Sequence, residues 1–172
     1  MQTQESKVGL AVIITALVVG GGVYYFTAEK TTAQPIASTK VDTASYTSKE
    51  YAVMGRELHS ALQCASWASI TKDDAESERL FTFGYEQGQK FLAAIKAEKV
   101  KKEDISSEVP IAVAWMLQGP TEEFILGRIY EAAQEDALEE VFKTGDEFNS
   151  DEMQKIIAGN KYRDGNCQLI GK

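Results

Sequence analysis

Apolar and polar positions divide this chain into two unlike parts. Residues 8–28, VGLAVIITALVVGGGVYYFTA, contain no charged side chain, and a helix built from them is apolar on every face. Such a helix is about 32 Å long, close to the ~30 Å hydrocarbon thickness of a bilayer. The stretch is therefore predicted to be a transmembrane helix acting as an uncleaved signal anchor. Tyr24, Tyr25 and Phe26 then fall at the far interface as an aromatic belt. Two alternatives compete. As a cleaved secretory signal, Val8–Val19 would be the apolar region. Phe26-Thr27-Ala28 is a poor cleavage site, and only Gly20–Gly22 offers a small-residue run. A buried core helix is the third reading, disfavoured because a polar segment follows at once.

Residues 29–46, EKTTAQPIASTKVDTASY, show no sustained apolar period and are rich in Thr, Ser and Ala, with Pro35 among them. They predict a flexible linker. Beyond it the apolar positions recur at helical spacing, and residues 47–172 are predicted to form an all-α domain, a compact bundle of about five helices.

The first helix is expected over Ser48–Ile70. Thr47-Ser48-Lys49-Glu50 matches a capping box, and Tyr51, Met54, Leu58, Leu62 and Ala65 repeat along one face. After a polar break capped by Asp73 or Asp74, a second helix is expected over about 74–97. Its apolar set includes Leu80, Phe81, Tyr85, Phe91, Leu92 and Ile95. Gly84 and Gly88 lie one turn apart within it. Each costs roughly 1 kcal/mol against Ala, so close helix packing is the expected compensation, with a backbone-lined partner groove as the alternative.

The charged run 96–104 reads as a helix end or loop, a solvated turn. Ser106-Ser107-Glu108-Val109-Pro110 reads as a helix start, with the apolar run Ile111–Leu117 as a short, central, buried helix ended by Gly119-Pro120. Thr121 caps the clearest helix, over about 121–144, with Phe124, Ile125, Ile129, Ala132, Ala133, Leu138, Val141 and Phe142 inward and Gly145 as its stop. A last short helix starts at Asn149–Glu152 and carries Met153, Ile156 and Ile157.

Charge and cysteines then narrow the setting. The net charge of −8 opposes a nucleic-acid surface and docking on anionic lipid. Cys64 and Cys167 are the two cysteines, both beyond the apolar stretch. In an exported protein they predict a disulfide that staples the tail onto the first helix. Lys7 before the span and Lys30 after it leave the positive-inside signal weak, so the cysteines set the orientation. The expectation is a single-pass inner-membrane protein, N-terminus in, with the domain in the periplasm.

Reactive constellations are sparse. His59, the one histidine, lies beside the apolar stripe and is expected partly exposed. It has no local nucleophile signature. Glu131, Glu135 and Glu139 form an acidic row at i, i+4, without the Glu-x-x-His pairs of a di-metal bundle. There is no P-loop. No catalytic, cofactor or metal residue is expected, and the tethered-muramidase pattern is absent.

Trp67-Ala68 after Cys64, Phe81–Gly84, Gly119-Pro120, Phe124–Gly127 and the closing Asn166–Ile170 are arranged as a set that resembles small exported helical proteins of proteobacteria and their phages. The expected function is non-enzymatic: binding another envelope or virion protein, as an inhibitor, an immunity or superinfection-exclusion factor, or an assembly factor. A structural role in a phage virion or secretion complex is the alternative, and an envelope enzyme the third.

Overall fold

The computed structural model describes residues 46–172. The expected span at 8–28, with Tyr24, Tyr25 and Phe26, and residues 29–45 of the linker lie outside the described residues. Among the described residues no helix is long and apolar enough to cross a membrane.

Six α-helices make up most of the described chain: α1 (Ser48–Ile70), α2 (Asp74–Lys96), α3 (Lys102–Glu108), α4 (Ile111–Trp115), α5 (Glu122–Phe142) and α6 (Asp151–Asp164). A minimal antiparallel ribbon, β1 (Lys143–Thr144) with β2 (Glu147–Phe148), joins α5 to α6, and a 3-10 turn at Cys167–Leu169 follows α6.

Local chemistry accounts for the long helices. The α1 capping box is complete: Glu50 N–H donates to Thr47 Oγ1 at 3.3 Å, and Thr47 N–H donates to Glu50 Oε2 at 2.6 Å. Two orphan donors are thereby satisfied. Asp73 caps α2, Thr121 caps α5 and Ser150 caps α6, each through its side-chain oxygen. At their other ends α1 and α2 close through Lys72 and Glu98, both with positive φ. Asp73 N–H then reaches Ala68 O and Lys99 N–H reaches Ala94 O, the Schellman pattern formed without glycine.

Helix α2 turns back along α1, and this pair has the most extensive contact of the domain. The main core lies between them, α3, α4 and α5, around Leu58, Leu62, Phe91, Leu92, Val113 and Ile129. A second cluster gathers Cys64, Ala65, Leu80 and Cys167, and a third Ala137, Leu138, Val141 and Ala158. Trp67 packs against both smaller clusters, and its Nε1–H donates to Ala137 O at 2.8 Å, tying α1 to α5.

Several expectations are corrected. Ser106 and Ser107 do not start a helix. They lie inside α3, with Ser106 Oγ donating back to Lys102 O. Helix α3 begins instead where Lys101 N–H donates to Ser48 Oγ at 2.8 Å, and Ser48 Oγ–H in turn donates to Asp104. The start of α1 thus supplies the cap that α3 lacks locally. The run from Ile111 is helical but not central: Val113 is fully buried, whereas Ile111 and Trp115 are exposed. Helix α5 ends at Phe142, and Gly145 turns the ribbon rather than stopping the helix. Phe124 and Phe142 face outward, while Leu126 and Ala137 take core places.

Candidate functional site

Cys64 and Cys167 sulfurs stand at bonding distance, their Cα atoms 5.6 Å apart and 103 residues apart in sequence. A polar clamp lies beside them. Arg79 on α2 donates to Ile170 O at 2.6 Å and holds Glu76 through two nitrogens at 2.9 and 2.8 Å. Tyr162 Oη–H donates to Glu76 Oε2 at 2.7 Å. The Arg79 hydrogen bonds, with that from Tyr162, bring the Glu76 carboxyl down to about 2. Burial, then Glu76, pushes the Tyr162 hydroxyl up to about 12. The tail is therefore held covalently and by a charge-assisted hydrogen bond to its backbone. Ile170 covers the second cluster, while Leu169 stays exposed.

Gly84 and Gly88 are both buried on the inner side of α2. A Cβ at Gly84 would lie 3.1 Å from Ala61 Cβ and 3.3 Å from Leu58 O. A Cβ at Gly88 would lie 2.5 Å from Leu126 Cδ2 and 3.0 Å from Leu58 Cδ1. Both positions face other helices of the bundle, not an open groove.

His59 is buried, against expectation, because α5 packs over its side of α1. Its Nε2 has no hydrogen-bond partner, and desolvation lowers its pKa against an opposing pull from Asp136. The row Glu131, Glu135 and Glu139 is solvent-exposed. Among the described residues no group of three or more His, Cys, Asp or Glu side chains is placed to hold a metal. A shallow cleft of about 260 Å³ lies between α1, α2 and α5, with Phe81 and Tyr130 edge to face on one side. Two of its three serines are engaged: Ser66 Oγ donates to Leu62 O and Ser77 Oγ to Ala65 O, both at 3.0 Å.

The surface at α4 is different in kind. Pro110 admits only an extended entry, and α4 is five residues long. Val113 anchors it at 0% exposure. Ile111 and Trp115, at i and i+4, share the opposite face and are 65% and 73% exposed. Phe124, in the first turn of α5, is 49% exposed. Arg128 braces the connection between these helices, donating to Gln118 O at 3.0 Å and to Met116 Sδ at 2.9 Å. Its guanidinium sits 5.9 Å from the Phe124 ring centroid. A Cβ at Gly119 would meet Phe124 Cδ1 at 2.6 Å, so glycine lets the loop pass over that ring. A tryptophan, an isoleucine and a phenylalanine beside an arginine have the composition of an interface centre. Sequence reasoning found the run but placed it inside, because an apolar run has the same pattern whether the fold or a partner covers it.

No family model matches the chain, and no curated protein or solved structure matches it.

Proposed function

We propose that this chain is a membrane-tethered protein-binding protein of the bacterial periplasm. Residues 8–28 hold it in the inner membrane with its N-terminus inside, and the domain of residues 47–172 meets an envelope or virion protein as an inhibitor, immunity or superinfection-exclusion factor, or assembly factor. The observation that carries the reading is the α4 surface, where Ile111, Trp115 and Phe124 stand 65%, 73% and 49% exposed on a braced loop. Larger groups of exposed apolar side chains, unlike ones scattered singly, mark interaction sites. The Cys64–Cys167 pair supports an oxidising compartment. A tether raises the local concentration of such a binder at the membrane.

A photo-crosslinking residue placed at Trp115 in the full chain, in intact cells, tests the reading. A discrete adduct is expected there and not at Gln89, an exposed polar position on α2. Equal yields at both positions, or none, refute it. The second reading, a permanent component of a phage virion or secretion complex, draws on the further exposed side chains Phe148 and Ile156. It predicts that detergent-extracted chain runs only as a large assembly, whereas the first reading predicts a separable monomer.

A further inference from the structure

Seven-eighths of the chain's net charge lies in one short region. Residues 131–156 hold nine carboxylates and two lysines, a net −7 of the −8 carried by all 172 residues. Glu131, Glu135 and Glu139 run along one face of α5 that ends at Phe142, because steps of three, four, seven and eleven residues return to one side of a helix. Asp146 and Glu147 follow in the ribbon, then Asp151 and Glu152 in the first turn of α6. Only Glu140 of the nine forms an ion pair among the described residues, with Lys161. Helix-dipole stabilisation accounts for Asp151 and Glu152. It does not account for the row on α5, where like charges at i, i+4 destabilise the helix.

The same region leaves large apolar side chains in water. Phe148 is 79% exposed, the highest value among the large hydrophobic side chains of the described residues. Phe142, Met153 and Ile156 are 39%, 46% and 58% exposed. The Phe148 ring already seats a cation: Lys143 Nζ lies 4.9 Å from its centroid across the ribbon. Gly145, with φ +63° and open space around it, sets the tight turn that closes the ribbon one residue pair beyond them.

We infer that the end of α5, the ribbon and the exposed face of α6 form a second docking surface, for a lysine- or arginine-bearing amphipathic segment of a partner protein. The apolar side of such a segment covers Phe148 and its neighbours. Its cations relieve the carboxylate row and compete with Lys143 for the aromatic face. The sign of the charge selects this occupant. Nucleic acid and anionic lipid are repelled, and a second copy would bring the same −7 against itself. The surface is separate from that around Trp115, so one chain can hold two partners, or two parts of one.

The test titrates purified full-length chain with a fluorescent synthetic amphipathic helix of lysine and leucine, and with its glutamate–leucine counterpart. The lysine peptide is expected to bind, with affinity falling as salt rises, and the glutamate peptide not to bind. Phe148→Ser is expected to weaken the lysine peptide about tenfold. The paired change Glu135→Gln with Glu139→Gln is expected to flatten the salt dependence. Both sites are exposed, so circular dichroism should match wild type. Trp115→Ser should leave binding of this peptide unchanged; loss there would assign the peptide to the first surface and overturn the inference. No binding, equal binding of both peptides, or full affinity in Phe148→Ser overturns it too. So does a sizing result in which wild type is a dimer that Phe148→Ser separates, since the occupant would then be a second copy.

Discussion

Three helical glycines make a controlled comparison. Replacing glycine by alanine inside a helix gains about 1 kcal/mol from backbone entropy alone. At Gly127 nothing lies within 4 Å of the added Cβ, so Gly127→Ala should keep the whole gain. At Gly88 the same atom arrives 2.5 Å from Leu126 Cδ2, with Leu58 Cδ1 at 3.0 Å on the other side. Carbon atoms pack at about 3.5–4.0 Å, so Leu126 must move by roughly an ångström. Leu126 and Leu58 are 5% and 1% exposed and lie within the main core. Overpacking of this kind costs about 1–3 kcal/mol. The gain and cost together leave Gly88→Ala about 0–2 kcal/mol less stable than wild type. Gly84→Ala should fall at the unfavourable end, because its neighbours are Ala61 Cβ and the Leu58 carbonyl, which cannot rotate away. Urea unfolding of the three full-length variants, followed by circular dichroism, gives the order directly. Equal stabilisation by Gly88→Ala and Gly127→Ala would refute close approach of α2 to its neighbours.

Other predictions concern the staple and the buried histidine. Reduction of Cys64–Cys167 opens a loop closed across 103 residues, and loop entropy alone sets the loss at about 4.7 kcal/mol, read as a lower urea midpoint under reductant. Arg79→Ala should speed that reduction, because the clamp on Ile170 O is gone; an unchanged rate in a thiol-trapping assay would refute the clamp. Desolvation lowers the His59 pKa in the fold, so the unfolded chain takes up the proton first. Stability is then fully present above the unfolded value of about 6.5 and is lost as pH falls from there towards the folded value. His59→Leu should flatten the dependence of the urea midpoint between about pH 7 and 5, before the carboxylates titrate; an unaltered slope would count against burial of the neutral ring.

What could be read from sequence follows from the range of the interactions involved. Helix α1 was legible at both ends because its cap is written within four residues, Thr47 to Glu50, and its stop within a polar turn. Asp73 and Thr121 marked α2 and α5 for the same reason. Helix α3 was not legible, because its start is stabilised by Ser48, more than fifty positions away. The Ser106-Ser107 pair carried a start signal that the fold overrides, and both hydroxyls bond back into the helix instead. The cysteine pair was legible from count and position, whereas the Arg79 clamp was not, since nothing in Glu76-Ser77-Glu78-Arg79 points to Ile170. The ribbon hid for a subtler reason. Gly145-Asp146 is a turn signal, but its strands are two residues each and do not alternate apolar and polar residues, so Gly145 read as a helix stop.

The placement of strong and weak packing bears on how such a domain is used. The disulfide, the Arg79 clamp and the Trp67 hydrogen bond all fasten long helices or the tail: α1, α2, α5 and the segment after α6. None of them touches α4 or the ribbon, which are five residues and two paired residues long. Those two short connections, with the adjoining ends of α5 and α6, carry Ile111, Trp115, Phe124, Phe142, Phe148, Met153 and Ile156. A frame fixed by cross-links tolerates exposed apolar side chains on its connections, because they add little to the core and their replacement removes little from it. Trp115→Ser and Phe148→Ser should therefore leave the unfolding midpoint within about 0.5 kcal/mol of wild type while changing what the chain binds. Loss of stability at either position would mean that these side chains hold the bundle together, and the docking assignments would fall with it.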